Sequence, residues 1–234
     1  MATFVLVPGA FHGGWCYARV ADILRAQQHD VYALTLSGLG ERAHLASQAI
    51  NLSTHVEDVV AVMKTNDLKD VILCGHSYGG MVITAVAGRI PERIRTLFYL
   101  DGCVPDDGQS HLDLVGKETA LRVLDATGES GILVASPGAA AFRVNAADRE
   151  WVDRLCTPHP ISCFIQKLRL TGREALVPHR TFVLCERYRS IFQAIRNRVQ
   201  GLPGWKVASI GCGHDAMIDA PDAVASLLLD ELQR

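Results

Sequence analysis

A serine stands between two glycines in Gly75-His76-Ser77-Tyr78-Gly79, after the apolar run 71–74 and before Gly80 and a helix-like stretch. Strand, tight turn and helix form the setting in which a serine hydroxyl becomes a nucleophile. The turn forces the serine into a strained backbone conformation, and side chains at the flanking glycines would collide with neighbouring backbone. The hydroxyl then lies at a helix N-terminus, where free N–H groups favour a developing negative charge. A purely structural turn is the rival reading; the strand before and helix after favour the nucleophile.

A serine hydroxyl needs a base to take its proton. His214 is the candidate, because it follows the last strand-like run in Gly211-Cys212-Gly213-His214. His76 sits inside the strained turn and is expected to hydrogen-bond backbone, and His12 lies in the first glycine-rich loop; neither is favoured as base. That loop, Pro8 to Gly14, joins the first strand to the first helix. It is placed to offer an oxyanion N–H from Ala10, beside a second from Tyr78. Neither GxGxxG nor GxxxxGK[ST] is present, so no nucleotide is expected. No His, Cys or carboxylate spacing suggests zinc, and no metal is expected.

The elements that must position these residues alternate along the chain. Residues 3–7, 30–36, 71–74, 94–100, 180–185 and 206–210 read as strands. Residues 15–28, 53–66, 78–90, 191–199 and 222–232 read as helices, the second capped by Ser53 or Thr54. Short, continuously apolar strands between amphipathic helices predict an α/β fold: a mostly parallel sheet with helices on both faces. Residues 105–179 break the rhythm. They are rich in Gly, Pro, Asp and Ala, with helix-like pieces at 111–126 and 148–156 but no convincing strand. This gives a core of 1–104 and 180–234 with a small helical cap inserted over the strand C-terminal ends, where ligands bind in open α/β sheets. Phe142, Trp151, Phe164 and Leu168 either line a pocket under that cap or form its own small core.

The chain has 234 residues, 49% hydrophobic, enough for one domain with a substantial core. A net charge of −2 and the lack of any basic block argue against nucleic acid or an anionic membrane as partner. No apolar run approaches the ~18 residues of a membrane span, and no secretory signal is visible. Seven cysteines, an odd number without a CxxC pair, read as small buried hydrophobes in a reducing cytoplasm rather than a disulfide framework. The sequence is compatible with a monomer or a homodimer.

Five segments in order carry a family resemblance over nearly the whole chain: residues 5–20, 34–42, 71–81, 99–110 and 211–217. They resemble the α/β-hydrolase group of plant methyl esterases and hydroxynitrile lyases, and its bacterial carboxylesterase relatives, including pyrethroid hydrolases. The resemblance implies a cofactor-independent serine hydrolase with a Ser–acid–His triad in that chain order, acting on small hydrophobic esters. Hydroxynitrile lyases of this group carry a threonine in the first loop and a lysine after the catalytic histidine, where this chain has Gly9 and Asp215. An aspartate would repel the departing cyanide that the lysine receives.

The family acid falls on Tyr188, a side chain that is neutral at pH 7 and cannot stabilise an imidazolium as a carboxylate does. Asp101, at the end of the strand after the nucleophile helix, and Glu186, two residues before Tyr188, are the two substitutes; the site could also lack a working acid. The expected function is a serine carboxylic ester hydrolase. The alternatives are a hydroxynitrile lyase-type carbon–carbon lyase and a non-catalytic ligand-binding homologue.

Overall fold

The computed structural model describes residues 1–188 and 191–234. Six strands form one parallel sheet in the order β2-β1-β3-β4-β7-β8. They are β1 (Thr3–Val7), β2 (Asp30–Ala33), β3 (Val71–His76), β4 (Ile94–Leu100), β7 (His179–Cys185) and β8 (Trp205–Ile210). Every residue of β3 is buried, as the unbroken apolar run requires of a central strand covered on both faces. Between β1 and β2 lies α1 (Ala18–Ala26); α2 (Leu52–Thr65) precedes β3 and α3 (Gly79–Arg89) follows it. The path moves outward from β1 to β2 and then back across to β3 and β4. Right-handed crossovers therefore place α1 on one face and α2 and α3 on the other.

Neighbouring C-terminal loops diverge where that direction reverses, between β1 and β3, and open a crevice. The loop carrying Ala10 leaves β1 there, and Ser77 follows β3. Sequence signals and element ends agree where a breaker is strong, as at Pro91 after α3. They disagree where side-chain caps compete. The cap of α2 is Asn51, not Ser53 or Thr54; Asn51 accepts from the Thr54 backbone N–H at 3.2 Å, and Thr54 serves as the third helical residue. The expected strand at 30–36 ends at Ala33, and the first turn of the 15–28 helix is a 3-10 turn, Gly14–Tyr17.

The segment between β4 and β7 differs from expectation in two respects. The helix predicted over 111–126 is two helices, α4 (His111–Val115) and α5 (Lys117–Asp125), separated by Gly116 at φ +79°. A strand pair also exists where none was expected: β5 (Leu133–Val134) runs antiparallel to β6 (His159–Pro160). Two-residue strands lie below any sequence period. Two helices, α6 (Arg149–Leu155) and α7 (Ser162–Ile165), complete the segment. After β7 come α8 (Ile191–Val199), β8, α9 (Ala216–Asp219) and α10 (Pro221–Asp230), which packs against α1. All seven cysteines are free, six of them buried. Among the described residues no helix is long and apolar enough to cross a membrane.

Helix α3 lies against the chain leaving β4 so closely that a Cβ on Gly80 would stand 2.2 Å from the Cys103 carbonyl oxygen and 2.6 Å from its nitrogen. Both are backbone atoms, so relief requires moving α3 or the β4 exit. Gly80→Ala should therefore lower the thermal midpoint by roughly 5 °C or more, in line with about 1–3 kcal/mol for overpacking. An unchanged melting curve by circular dichroism would refute this tight fit.

Candidate active site

Ser77 has φ +50°, a left-handed conformation rare outside glycine. Its neighbours enforce it. A Cβ on Gly75 would lie 2.6 Å from the Gly79 carbonyl oxygen, and one on Gly79 would lie 2.7 Å from that of Pro8. The strained peptide is pinned by Ser77 N–H to Leu100 O at 3.2 Å and by Cys103 N–H to Ser77 O at 2.9 Å. Among the described residues, the backbone N–H groups of Ala10 and Tyr78 have no hydrogen-bond partner, whereas Phe11 N–H donates to His159 Nδ1 at 3.3 Å. The two unpaired donors belong to the two loops that flank the crevice.

His214 Nδ1 lies 2.7 Å from Asp101 Oδ2. The second oxygen of Asp101 accepts the Cys185 N–H at 3.1 Å, and the Asp101 N–H donates to Val183 O at 2.7 Å, so β7 clamps the carboxylate from its side. Asp101 is itself strained, at φ +41°. Glu186 is not brought to the histidine: it is exposed and accepts from Ser209 Oγ at 2.6 Å. Tyr188 covers the imidazole instead, its ring stacked at 4.3 Å and 21°, and Phe192 stacks at 5.1 Å. Burial works against charge on both members of the pair. It pushes the Asp101 carboxyl well above the usual range, against the Cys185 N–H bond that lowers it. It brings His214 down to about 4, against the Asp215 charge that raises it. No hydrogen bond joins Ser77 Oγ to His214, a contact that commonly closes only when substrate is bound.

A second buried pair escaped sequence reasoning. His12 Nε2 lies 3.2 Å from Asp215 Oδ2, with both side chains almost wholly buried. Burial lowers the His12 imidazole, but the Asp215 carboxylate outweighs it and holds the pKa well above its ordinary value. Burial likewise raises Asp215, and the His12 cation brings it below the carboxylate range. His12 Nδ1 donates to Ala10 O at 2.8 Å, and His76 Nε2 donates to the His214 carbonyl at 3.0 Å. His76 thus bonds backbone, and both histidines serve the loops rather than the nucleophile. At Gly9 a side chain would meet His76 Nδ1 at 2.7 Å and Ser77 Cβ at 3.0 Å, so the threonine of the lyases has no room here.

Ser77, Ala10 and His214 open into a cavity of about 550 Å³. Phe142 and Phe164 line it; Trp151 and Leu168 do not. Trp151 instead packs edge-on against Trp15 at 5.2 Å, and Leu168 is buried away from the cavity. Beneath the cavity His55, His159 and Cys163 come together, a buried cluster of metal-ligand types that sequence spacing did not reveal. The backbone N–H aimed at His159 Nδ1 leaves that ring's proton on Nε2, which makes Nε2 a donor rather than a metal ligand. The His55 ring is engaged at both nitrogens, by Ser37 O at 2.9 Å and Tyr78 Oη at 3.1 Å. His159 Nε2 has no hydrogen-bond partner among the described residues, and with its proton there and both His55 nitrogens engaged the donor set does not suit a metal.

Removing one partner of the His12–Asp215 pair strands the other charge in the interior, at a cost of about 3–5 kcal/mol. Asp215→Asn should lower the thermal midpoint by roughly 10 °C. The His12→Gln/Asp215→Asn double variant should lose less than the sum of the single losses. Strict additivity in thermal unfolding would show that the two groups do not interact.

The fold has counterparts among known proteins. Residues 4–227 match the model of the alpha/beta hydrolase family. A carbendazim hydrolyzing esterase from Nocardioides sp. (strain SG-4G) is 41% identical over 97% of this chain and 98% of its own length. Methylesterase 8 from Arabidopsis thaliana is 32% identical over 46% of this chain and 40% of its own length. An extracellular alpha/beta-hydrolase from a Paenibacillus species superposes with a TM-score of 0.86 at 24% identity, covering 99% of both chains. A pyrethroid hydrolase from Sphingobium faniae JZ-2 superposes at 0.75 with 18% identity, covering 98% of this chain and 96% of its own. The match to the family model over residues 4–227, with a relative 41% identical along nearly its whole length, shows that the chain belongs to the alpha/beta hydrolase family.

Proposed function

We propose that the protein is a serine carboxylic ester hydrolase that cleaves small hydrophobic esters through an acyl-enzyme. The observation that carries this reading is the 2.7 Å bond between Asp101 and His214, the histidine that shares one cavity with Ser77. Ser77 Oγ attacks the ester carbonyl while His214 Nε2 takes its proton. The N–H groups of Ala10 and Tyr78 hold the oxyanion. His214 returns the proton to the departing alcohol, and water resolves the acyl-enzyme by the same steps. Asp101 keeps the imidazole proton on Nδ1, so that Nε2 is free to act as base. Ester hydrolysis is also what the carbendazim hydrolyzing esterase and the plant methylesterases are named for.

Residues 105–179 act in this reading as the cap that makes the cavity apolar. The seven free thiols suit a reducing cytoplasm. Nucleophile, base, acid and oxyanion donors all come from one chain, so the chemistry needs no second copy. A lyase would lack both the threonine and the lysine, since Gly9 and Asp215 occupy their places. A merely ligand-binding homologue has no use for a buried carboxylate clamped onto His214.

Ser77→Ala should abolish p-nitrophenyl acetate hydrolysis, with a loss on the order of 10⁶ in kcat, and end labelling by a fluorophosphonate. Asp101→Asn should cost up to about 10⁴ in kcat by favouring the wrong imidazole tautomer, and Glu186→Gln should cost far less. The reverse ranking would make Glu186 the acid and sink this assignment.

The pH profile offers an independent check. Only the neutral imidazole accepts the serine proton, so activity falls as pH drops through the His214 titration. With that titration lowered to about 4, kcat/KM should stay level from about pH 8 to about pH 6 and decline only below. A midpoint at or above the ordinary histidine value of about 6.5, with the protein still folded, would show that the Asp101 charge outweighs burial.

A further inference from the structure

The lining of the cavity over Ser77 contains two guanidinium groups, Arg122 and Arg143, and no carboxylate. The carboxylates of the site, Asp101 and Asp215, are fully buried and do not line it. Among the described residues Arg122, on α5, has one ion pair, to Glu118 one turn away at 3.5 Å, with both side chains largely exposed, and a long hydrogen bond to Thr119 Oγ1 at 3.4 Å. Such a pair holds its guanidinium only weakly. Arg143 has no ion pair and no side-chain hydrogen bond among the described residues; its one contact of this kind is backbone, from its N–H to Ala140 O at 3.1 Å.

Arg143 is also held in an unfavourable backbone conformation, at φ +60°. Asparagine or glycine would adopt that conformation more easily. The clamp is visible: a Cβ on Gly213 would lie 2.3 Å from the Arg143 carbonyl oxygen, and His214 N–H donates to Phe142 O at 2.9 Å. An unpaired cation is thereby fixed to the loop that carries the candidate base. Strain of this kind persists where surrounding structure imposes it, and it clusters at ligand sites.

Arg143 packs against Gly213, the residue before His214, and so stands on the histidine side of the cavity, which Arg122 also lines. Each lowers the Tyr188 phenol, against the burial that raises it, and the Tyr188 ring stacks on His214 at 4.3 Å. The base hands its proton to the leaving alcohol, so the alcohol portion of an ester lies on that side. We propose that this site selects esters whose alcohol portion carries a carboxylate, which Arg143 and Arg122 receive. The inference rests on the ester-hydrolase reading and amends its substrate class, keeping an apolar acyl portion and adding an anion on the alcohol portion. The acyl carbon leaves the alcohol oxygen for Ser77 Oγ, the alcohol departs as a neutral hydroxyl bearing its distant carboxylate, and water releases the acid.

The test compares 4-acetoxybenzoate with its near-isosteric neutral partner 4-acetoxybenzamide, each rate normalised to hydroxide-catalysed hydrolysis. The wild-type kcat/KM should favour the anion roughly tenfold, as one to two charges at close range in a partly solvated site allow. Salt at about 1 M should shrink that preference. Arg143→Asn, which suits the positive φ and so preserves the turn, should bring the ratio towards one; Arg122→Gln should bring it part of the way. A wild-type ratio of one or below, with the amide still cleaved, would overturn the inference and leave the ester-hydrolase reading standing. So would a ratio that Arg143→Asn does not move. Failure to cleave either ester, together with no fluorophosphonate labelling, would overturn both.

Discussion

The buried contact between His12 and Asp215, with the His76 bond to the His214 carbonyl beside it, ties together the three segments on which the site depends. His12 belongs to the loop after β1 and fixes the Ala10 carbonyl; Asp215 is the residue after His214; His76, in the serine turn, bonds the His214 carbonyl. Loops leaving three different strands have no reason to keep a common register by packing alone. A full charge pair in the interior is poorly tolerant of displacement, because either group left alone is severely desolvated. The cost of burying these charges is thus converted into positional constraint on the groups that face the cavity.

Beneath that constraint lies close backbone contact. Ser77 and Asp101 both adopt positive φ, at the ends of the adjacent strands β3 and β4. The two turns lock together through Ser77 N–H to Leu100 O and Cys103 N–H to Ser77 O. Gly75, Gly79 and Gly80 each face backbone atoms too near to admit a methyl group. Ser77 and Asp101, the proposed nucleophile and acid, therefore sit on one stiff unit, and His214 approaches it from the far edge of the sheet. Rigidity of this order holds reacting groups within a fraction of an ångström, which is where most of the advantage of proximity lies.

The sheet was legible because each of its strands is a short apolar run bounded by breakers, and the serine turn because its glycines are dictated by local sterics. His214 was legible from its place after the last strand. The acid was not decided by sequence: Asp101 and Glu186 both close a strand or open a loop, and only the pairing of β4 with β7 shows that one faces the imidazole and the other Ser209. The role of Asp215 was hidden for a similar reason, since its partner lies 203 positions away. Within 105–179 the sequence offered helices but not the break at Gly116 or the two-residue strands, which tertiary contacts alone stabilise. Phe142 and Phe164 could not be told from Trp151 and Leu168, because an apolar residue facing a cavity and one facing a core look alike in sequence.

The position of the carboxylate on β4 has an evolutionary corollary. In relatives that keep their acid after β7, the loop there must conserve a reacting group while it also shapes the cavity. If Asp101 is the acid, as proposed above, that obligation passes to a strand end in the middle of the sheet, and Tyr188 stands as an aromatic wall over the imidazole. The stretch after β7 is thereby released from the chemistry. Substitutions at Tyr188 would then reshape the wall of the cavity without removing a reacting group. A directed-evolution library confined to this stretch would explore recognition with the catalytic apparatus held constant.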